Sequence, residues 1–109
     1  MIKEQLLYLV FYDIENSRLR ACISKRLIAR GYERLQFSVF VGVQPPWENK
    51  RLWIVLQGMV AKDGQPSDKV YSIQIHKTAF KNMKTIGSFT WDIEYLAGDM
   101  HTLLLQGKE

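Results

Sequence analysis

The apolar positions of this chain fall into short runs with two different periods. Residues 5–13, "QLLYLVFYD", carry the densest run. Leu7, Leu9, Phe11 and Asp13 fall on one side of an extended chain, and Leu6, Tyr8, Val10 and Tyr12 on the other. Both faces are apolar, so the strand is expected to be buried on both. A small domain with helices on one side of its sheet needs another cover for the second face, and a second copy of the chain would supply it. From Leu19 the period changes. Leu19, Ile23 and Leu27 recur every four residues and predict a helix to about Arg30. Asn16 or Ser17 would cap its first turn through a side-chain oxygen, and Gly31 stands where a left-handed C-terminal cap is wanted.

The segment "RLQFSVFVGV", residues 34–43, alternates with period two. This predicts a strand with Leu35, Phe37, Val39 and Val41 inward and Gln36, Ser38, Phe40 and Gly42 outward. Pro45 and Pro46 end it, and Pro46 suits the first turn of a second helix running to about Lys62. Leu52, Leu56, Met59 and Val60 form the buried side of that helix. "KDGQPSD" reads as a loop and "KVYSIQIH" as a strand with Tyr71, Ile73 and Ile75 on one face. Thr78 is expected to cap a short helix ending near Gly87. "SFTWDIEYL" and "MHTLLL" read as terminal strands around Gly98.

Strand, helix, strand, helix, strand and a C-terminal strand extension make an α+β chain. The expected fold is ferredoxin-like, an antiparallel sheet with two main helices on one face. That fold requires two strands between its helices, so residues 32–43 must bend into two short strands for the reading to hold. Length and the absence of linkers or repeats predict one domain over residues 1–109, a core of 1–87 and an extension of 88–109.

Composition alters this picture little. The chain is 47% hydrophobic and 24% charged, ordinary for a globular protein. One cysteine, Cys22, excludes an internal disulfide and an all-cysteine metal site, and suits a reducing compartment; the expected location is cytoplasmic. Cys22 is placed near the buried side of its helix. The apolar run ending at Asp13 is too short to span a membrane. A net charge of +4, from 15 basic and 11 acidic residues, biases the chain mildly toward anionic partners. His76 and His101 lack zinc-ligand spacing. Trp47, Trp53 and Trp91 lack the interleaved basic residues of a base-stacking surface and read as packing. Asp92 and Glu94 read as charges on an edge strand. No Gly-rich phosphate loop or Ser/His/Asp arrangement is present.

The strand ending "YDI", the helix opening with spaced arginines, "RLQFSVFVG" after a glycine-ended helix and the later "DKVYSIQIH" together resemble the family of CRISPR-associated protein two. The resemblance covers roughly residues 5–87. It implies a homodimer of ferredoxin-like domains that acts in spacer acquisition by bridging the integrase, CRISPR-associated protein one. The extension then completes the dimer. Some members are metal-dependent endonucleases on RNA or DNA; others are scaffolds without catalysis. By the same resemblance Asp13 is the catalytic and metal-binding residue, one from each protomer meeting near the dimer axis. Two such carboxylates repel unless a proton or a cation lies between them, and Mg²⁺ (or Mn²⁺) suits carboxylate oxygens and water. Arg18, Arg20 and Arg34 are the nucleic-acid-binding candidates, for DNA duplex or RNA. Tyr12 and Phe40 are adjacent to the site.

Each assignment has a plainer competitor. Asp13 can simply end its strand and cap the helix, with Glu15 solvated. Arg18, Lys25, Arg26 and Arg30 can form the solvated face of an amphipathic helix. Phe40, Ser38 and Gln36 can belong to a dimer interface. A non-catalytic DNA-binding scaffold, a ribonuclease toxin of the same fold and a ligand-binding regulatory module are the competing functions.

Overall fold

A computed structural model describes residues 6–87. The elements are β1 (Leu6–Asp13), α1 (Ser17–Ala29), β2 (Glu33–Gln36), β3 (Val39–Gly42), a 3₁₀ turn (Pro46–Glu48), α2 (Leu52–Asp63), β4 (Lys69–His76) and α3 (Lys77–Lys81). The strands form one antiparallel sheet in the order β2-β3-β1-β4. This is the ferredoxin-like α+β arrangement, with α1 and α2 on one face. The expected terminal strands, with Trp91, Asp92, Glu94, His101 and the whole extension 88–109, lie outside the described residues.

The two faces of β1 sort into two cores. On the helix side Val10 and Tyr12 pack with Leu19, Ile23 and Leu27 of α1, Leu52 and Leu56 of α2, Tyr32 and Phe40. Met59 and Val60 pack at the edge of this core, as their spacing predicts. On the opposite side Leu7 packs with Leu35, Val41 and Phe80. Phe80 belongs to α3, so this short helix covers one end of the second face. The other end stays open, with Tyr71 43% and Ile73 50% exposed and Phe11 stacked on Tyr71 at 4.9 Å.

The α1 boundaries follow the sequence. Asn16 is the cap, its Oδ1 accepting the Leu19 N–H at 2.9 Å. At the far end the Gly31 N–H donates to the Ile28 carbonyl and the Tyr32 N–H to the Leu27 carbonyl, a Schellman closure with Gly31 at φ +93°. Asn49, buried in the next turn, donates from Nδ2 to the Arg30 carbonyl at 3.0 Å and satisfies another end-of-helix acceptor.

Three expectations change. Residues 34–43 are not one alternating strand. β2 and β3 are joined by a turn at Phe37–Ser38, with Ser38 at φ +65°, and the register slips between Arg34 and Gln36. The turn reverses the chain and reassigns the faces: Phe40 is 0% exposed in the helix-side core and Phe37 is 81% exposed. Phe40 is therefore neither on a polar face nor open to a partner, because Arg34 and Phe40 are cross-strand neighbours beneath α1. The second helix is also interrupted. Pro46 starts only a 3₁₀ turn, Lys50 and Arg51 take positive φ (47° and 65°), and α2 begins afresh at Leu52. Finally, Thr78 lies within α3, whose cap position is His76, and that helix ends at Lys81.

Tyr32 lies flat on the β3 backbone. A Cβ at Gly42 would meet its ring at 2.5 Å, so glycine is required there for close approach. The Tyr32 hydroxyl donates to the Gln44 carbonyl, and burial pushes the phenol up to about 12.

Two measurements follow from this packing. Phe40→Ala is expected to destabilise by about 3–5 kcal/mol and Phe37→Ala by less than about 0.5 kcal/mol, read by urea unfolding; similar losses would contradict the turn. Between pH 10 and 12 the unfolded chain ionises the residue-32 phenol while the folded chain keeps it neutral. Stability therefore falls as pH rises through that window, by about 2–3 kcal/mol for this group. Tyr32→Phe should show a correspondingly smaller alkaline loss than the unsubstituted protein.

Candidate functional site at the end of the central strand

Tyr12 and Asp13 are consecutive strand residues, so their side chains leave opposite faces of the sheet. This places the candidate residues in two groups. Asp13 lies on the face of Leu7, Leu9 and Phe11, at the open end, with Lys69 as its cross-strand neighbour. Its side chain is exposed, and among the described residues it has no hydrogen-bond or ion-pair partner. The helix-capping alternative for Asp13 is thus ruled out: Asn16 performs that task.

The segment after Asp13 is fixed by others. Arg20 donates from Nη1 to the Ile14 carbonyl at 2.8 Å and the Glu15 carbonyl at 2.7 Å. The Glu15 N–H donates to Asp68 Oδ1 at 3.2 Å, while Asp68 Oδ2 accepts the Gln65 N–H at 2.8 Å. Asp68 thereby joins the β1–α1 and α2–β4 loops. Asp68 opens the "DKVYSIQIH" match, and its capacity to accept from two loops was the signal available for it. Gly64 leaves room for the second contact: a Cβ there would lie 3.1 Å from Asp68 Oδ2.

Tyr12, Arg20 and Arg34 come together on the helix side. They line a cleft of about 380 Å³ with Ser17, Phe37 and Ser38. Arg34 donates from Nη2 to Ser24 Oγ at 2.7 Å, and its guanidinium carbon lies 5.3 Å from the Phe40 ring centre and 5.7 Å from that of Phe37. The Tyr12 hydroxyl donates to the Arg20 carbonyl at 3.4 Å, and its N–H donates to the Ser38 carbonyl at 3.1 Å. Burial raises the Tyr12 phenol above its ordinary value, against the opposing pull of the adjacent Arg34. Arg18 stands apart, exposed and without a side-chain partner among the described residues. Cys22 is exposed on α1 rather than near its buried side, which Leu19, Ile23, Ser24 and Leu27 form. Phe37 and Ser38, missed as cleft residues, carried no turn glycine to betray their place.

The donor set bears on a metal. Among the described residues no group of three or more His, Cys, Asp or Glu side chains could hold an ion. Mg²⁺ is commonly held by one or two carboxylates and several waters. Asp13 offers one exposed carboxylate without a partner among the described residues, within the one or two that such a site uses, the rest of the shell being water. No helix among the described residues is long and apolar enough to cross a membrane.

Comparison with known proteins bears on the whole arrangement. The crystal structure of Streptococcus pyogenes Cas2 at pH 6.5 is similar, with a TM-score of 0.59 and 21% identity over 74% of this chain and 99% of that one. A hypothetical protein from Thermus thermophilus is similar too, with a TM-score of 0.59 and 21% identity over 78% of this chain and 94% of that one. No curated protein sequence matches. At this identity the structural likenesses speak for the fold. The family model of CRISPR associated protein Cas2 matches residues 6–83, every element from β1 through α3. On that match the chain belongs to the Cas2 family and is a CRISPR-associated protein of antiviral defence.

Proposed function

We propose that the chain acts in spacer acquisition as a homodimer bridging the integrase, CRISPR-associated protein one, and that its paired Asp13 carboxylates hold Mg²⁺ (or Mn²⁺) for cleavage of RNA or DNA. One observation supports this above others: the unpartnered Asp13 shares a sheet face with the exposed apolar side chains Tyr71 and Ile73. A self-complementary apolar patch favours an isologous dimer, and Asp13, at the open end of that patch, would approach its counterpart across the axis. The extension 88–109 would complete the dimer.

In this reading Asp13 binds the cation and Arg18 and Arg34 position phosphates, guanidinium forks matching phosphate oxygens. Arg20 contributes its remaining N–H groups while holding the loop. Asp13 would hold the ion, which when bound would supply an activated water and stabilise charge developing on the phosphodiester. The scaffold reading retains one specific support: each chain brings a single carboxylate to the place, with no metal-ligand cluster among the described residues.

Cleavage assays with Mg²⁺, Mn²⁺ and chelator decide between the two. Asp13→Ala and Asp13→Asn should each lower cleavage about a hundredfold or more without lowering the melting temperature. Cleavage surviving both substitutions would sink the paired-carboxylate mechanism. No cleavage by any form, with salt-sensitive DNA binding by all, would establish the scaffold, and co-purification with the integrase tests the bridging role.

The arginines separate by a second measurement. Arg18→Ala should leave thermal stability unchanged and reduce the salt slope of nucleic-acid binding by about one. Arg20→Ala should destabilise by about 1–3 kcal/mol through the two lost charge-assisted bonds. Its binding loss should therefore come with a lowered melting temperature.

A further inference from the structure

We infer that the cleft on the helix side of the β2–β3 hairpin receives one unpaired nucleotide, its phosphate on Arg34 and Arg20 and its base stacked on Phe37. The inference rests on the proposed function only in taking the partner to be a nucleic acid. It assigns a role to a face of the sheet opposite to Asp13.

Tyr12, Ser17, Arg20, Arg34, Phe37 and Ser38 surround about 380 Å³, and among the described residues no carboxylate lines the cleft. Two guanidinium groups without a compensating acid make an anion site. Arg34 gives Nη2 to Ser24 Oγ and Arg20 gives Nη1 to two backbone carbonyls, which fixes both groups and leaves other N–H groups for a phosphate. Ser17 is not the helix cap, so its hydroxyl is free to donate. The positive end of α1 adds to the same field.

Phe37 narrows the class of anion. It is 81% exposed, a large apolar ring left in water at a turn. Its position is nonetheless defined. Ser38 holds the turn at positive φ, Gln36 Oε1 accepts the Phe37 N–H at 3.3 Å, and the Arg34 guanidinium covers one side of the ring. An exposed ring beside a phosphate-binding arginine matches base-plus-backbone recognition, in which stacking is tolerant of sequence. Bases inside a duplex already stack on one another and present only their edges, so the geometry favours a single strand or an unpaired end over a blunt duplex.

The test is equilibrium binding of the full chain, in chelator, to a labelled single strand, the same strand with abasic sites, and a blunt duplex. Phe37→Ala should weaken single-strand binding about ten- to a hundredfold, the loss of one stacked base, and leave duplex binding unchanged. The abasic strand should bind the unsubstituted protein as weakly as the intact strand binds Phe37→Ala. Phe37→Tyr should restore affinity. Equal affinity of both proteins for the single strand, an equal loss on single strand and duplex, or no single-strand binding at all would overturn the inference. Dissociation of a dimer by Phe37→Ala in sedimentation would overturn it too, by making the residue an interface contact. Chelator removes the Asp13 chemistry from this readout, so failed cleavage and a failed cleft are distinguishable.

Discussion

Everything in this fold answers to the alternation of side chains along β1. The strand is apolar on both faces and central in the sheet, so it forces a cover on each side. α1 and α2 close over Val10 and Tyr12. α3, through Phe80, closes over Leu7 on the other side and stops there. Among the described residues, Leu9 and Phe11 are partly buried and Tyr71 and Ile73 exposed on that second face, because the short α3 reaches only one end of it. The same alternation separates Tyr12 from Asp13, adjacent in sequence but facing opposite sides of the sheet.

The corner after β1 shows how a carboxylate is left free. A strand-to-helix connection presents backbone donors and acceptors that need partners. Asn16 serves the helix N–H, Arg20 the Ile14 and Glu15 carbonyls, and Asp68 the Glu15 N–H. With those groups satisfied by neighbours, Asp13 carries no structural duty in the corner. Arg20 carries two: it fixes the loop and helps line the cleft. Its position near the start of a basic helix suggests a phosphate contact, and its first role in the structure is to hold the loop on which such a contact depends.

Chemistry on the two faces differs accordingly. Among the described residues, the open face carries Asp13 beside an apolar patch. The helix-side cleft offers two oriented guanidinium groups, a buried phenol and an exposed ring within one chain.

Local chemistry made much of this legible from sequence. Apolar period four placed α1, the run before Asp13 placed β1, alternation placed β4, and the side-chain and backbone requirements of helix ends placed Asn16 and Gly31. The spaced arginines and the strand-end aspartate were legible as candidates too. What escaped were the breaks made by residues with no special liking for them. Ser38, Lys50 and Arg51 adopt positive φ without being glycine, a local cost that only the surrounding packing can offset. The turn that the fold required between residues 32 and 43 falls at Phe37–Ser38, a place the sequence did not mark, and had the largest consequence, since reversal and a register slip exchange the faces and send Phe40 into the core. Sequence by itself determined which segments are extended or helical, because those preferences are local and periodic. Tertiary structure alone decided which face each side chain occupies after a turn, and hence that Arg20, Arg34 and Phe37 share a cleft while Asp13 does not, because contacts between distant segments set register and facing.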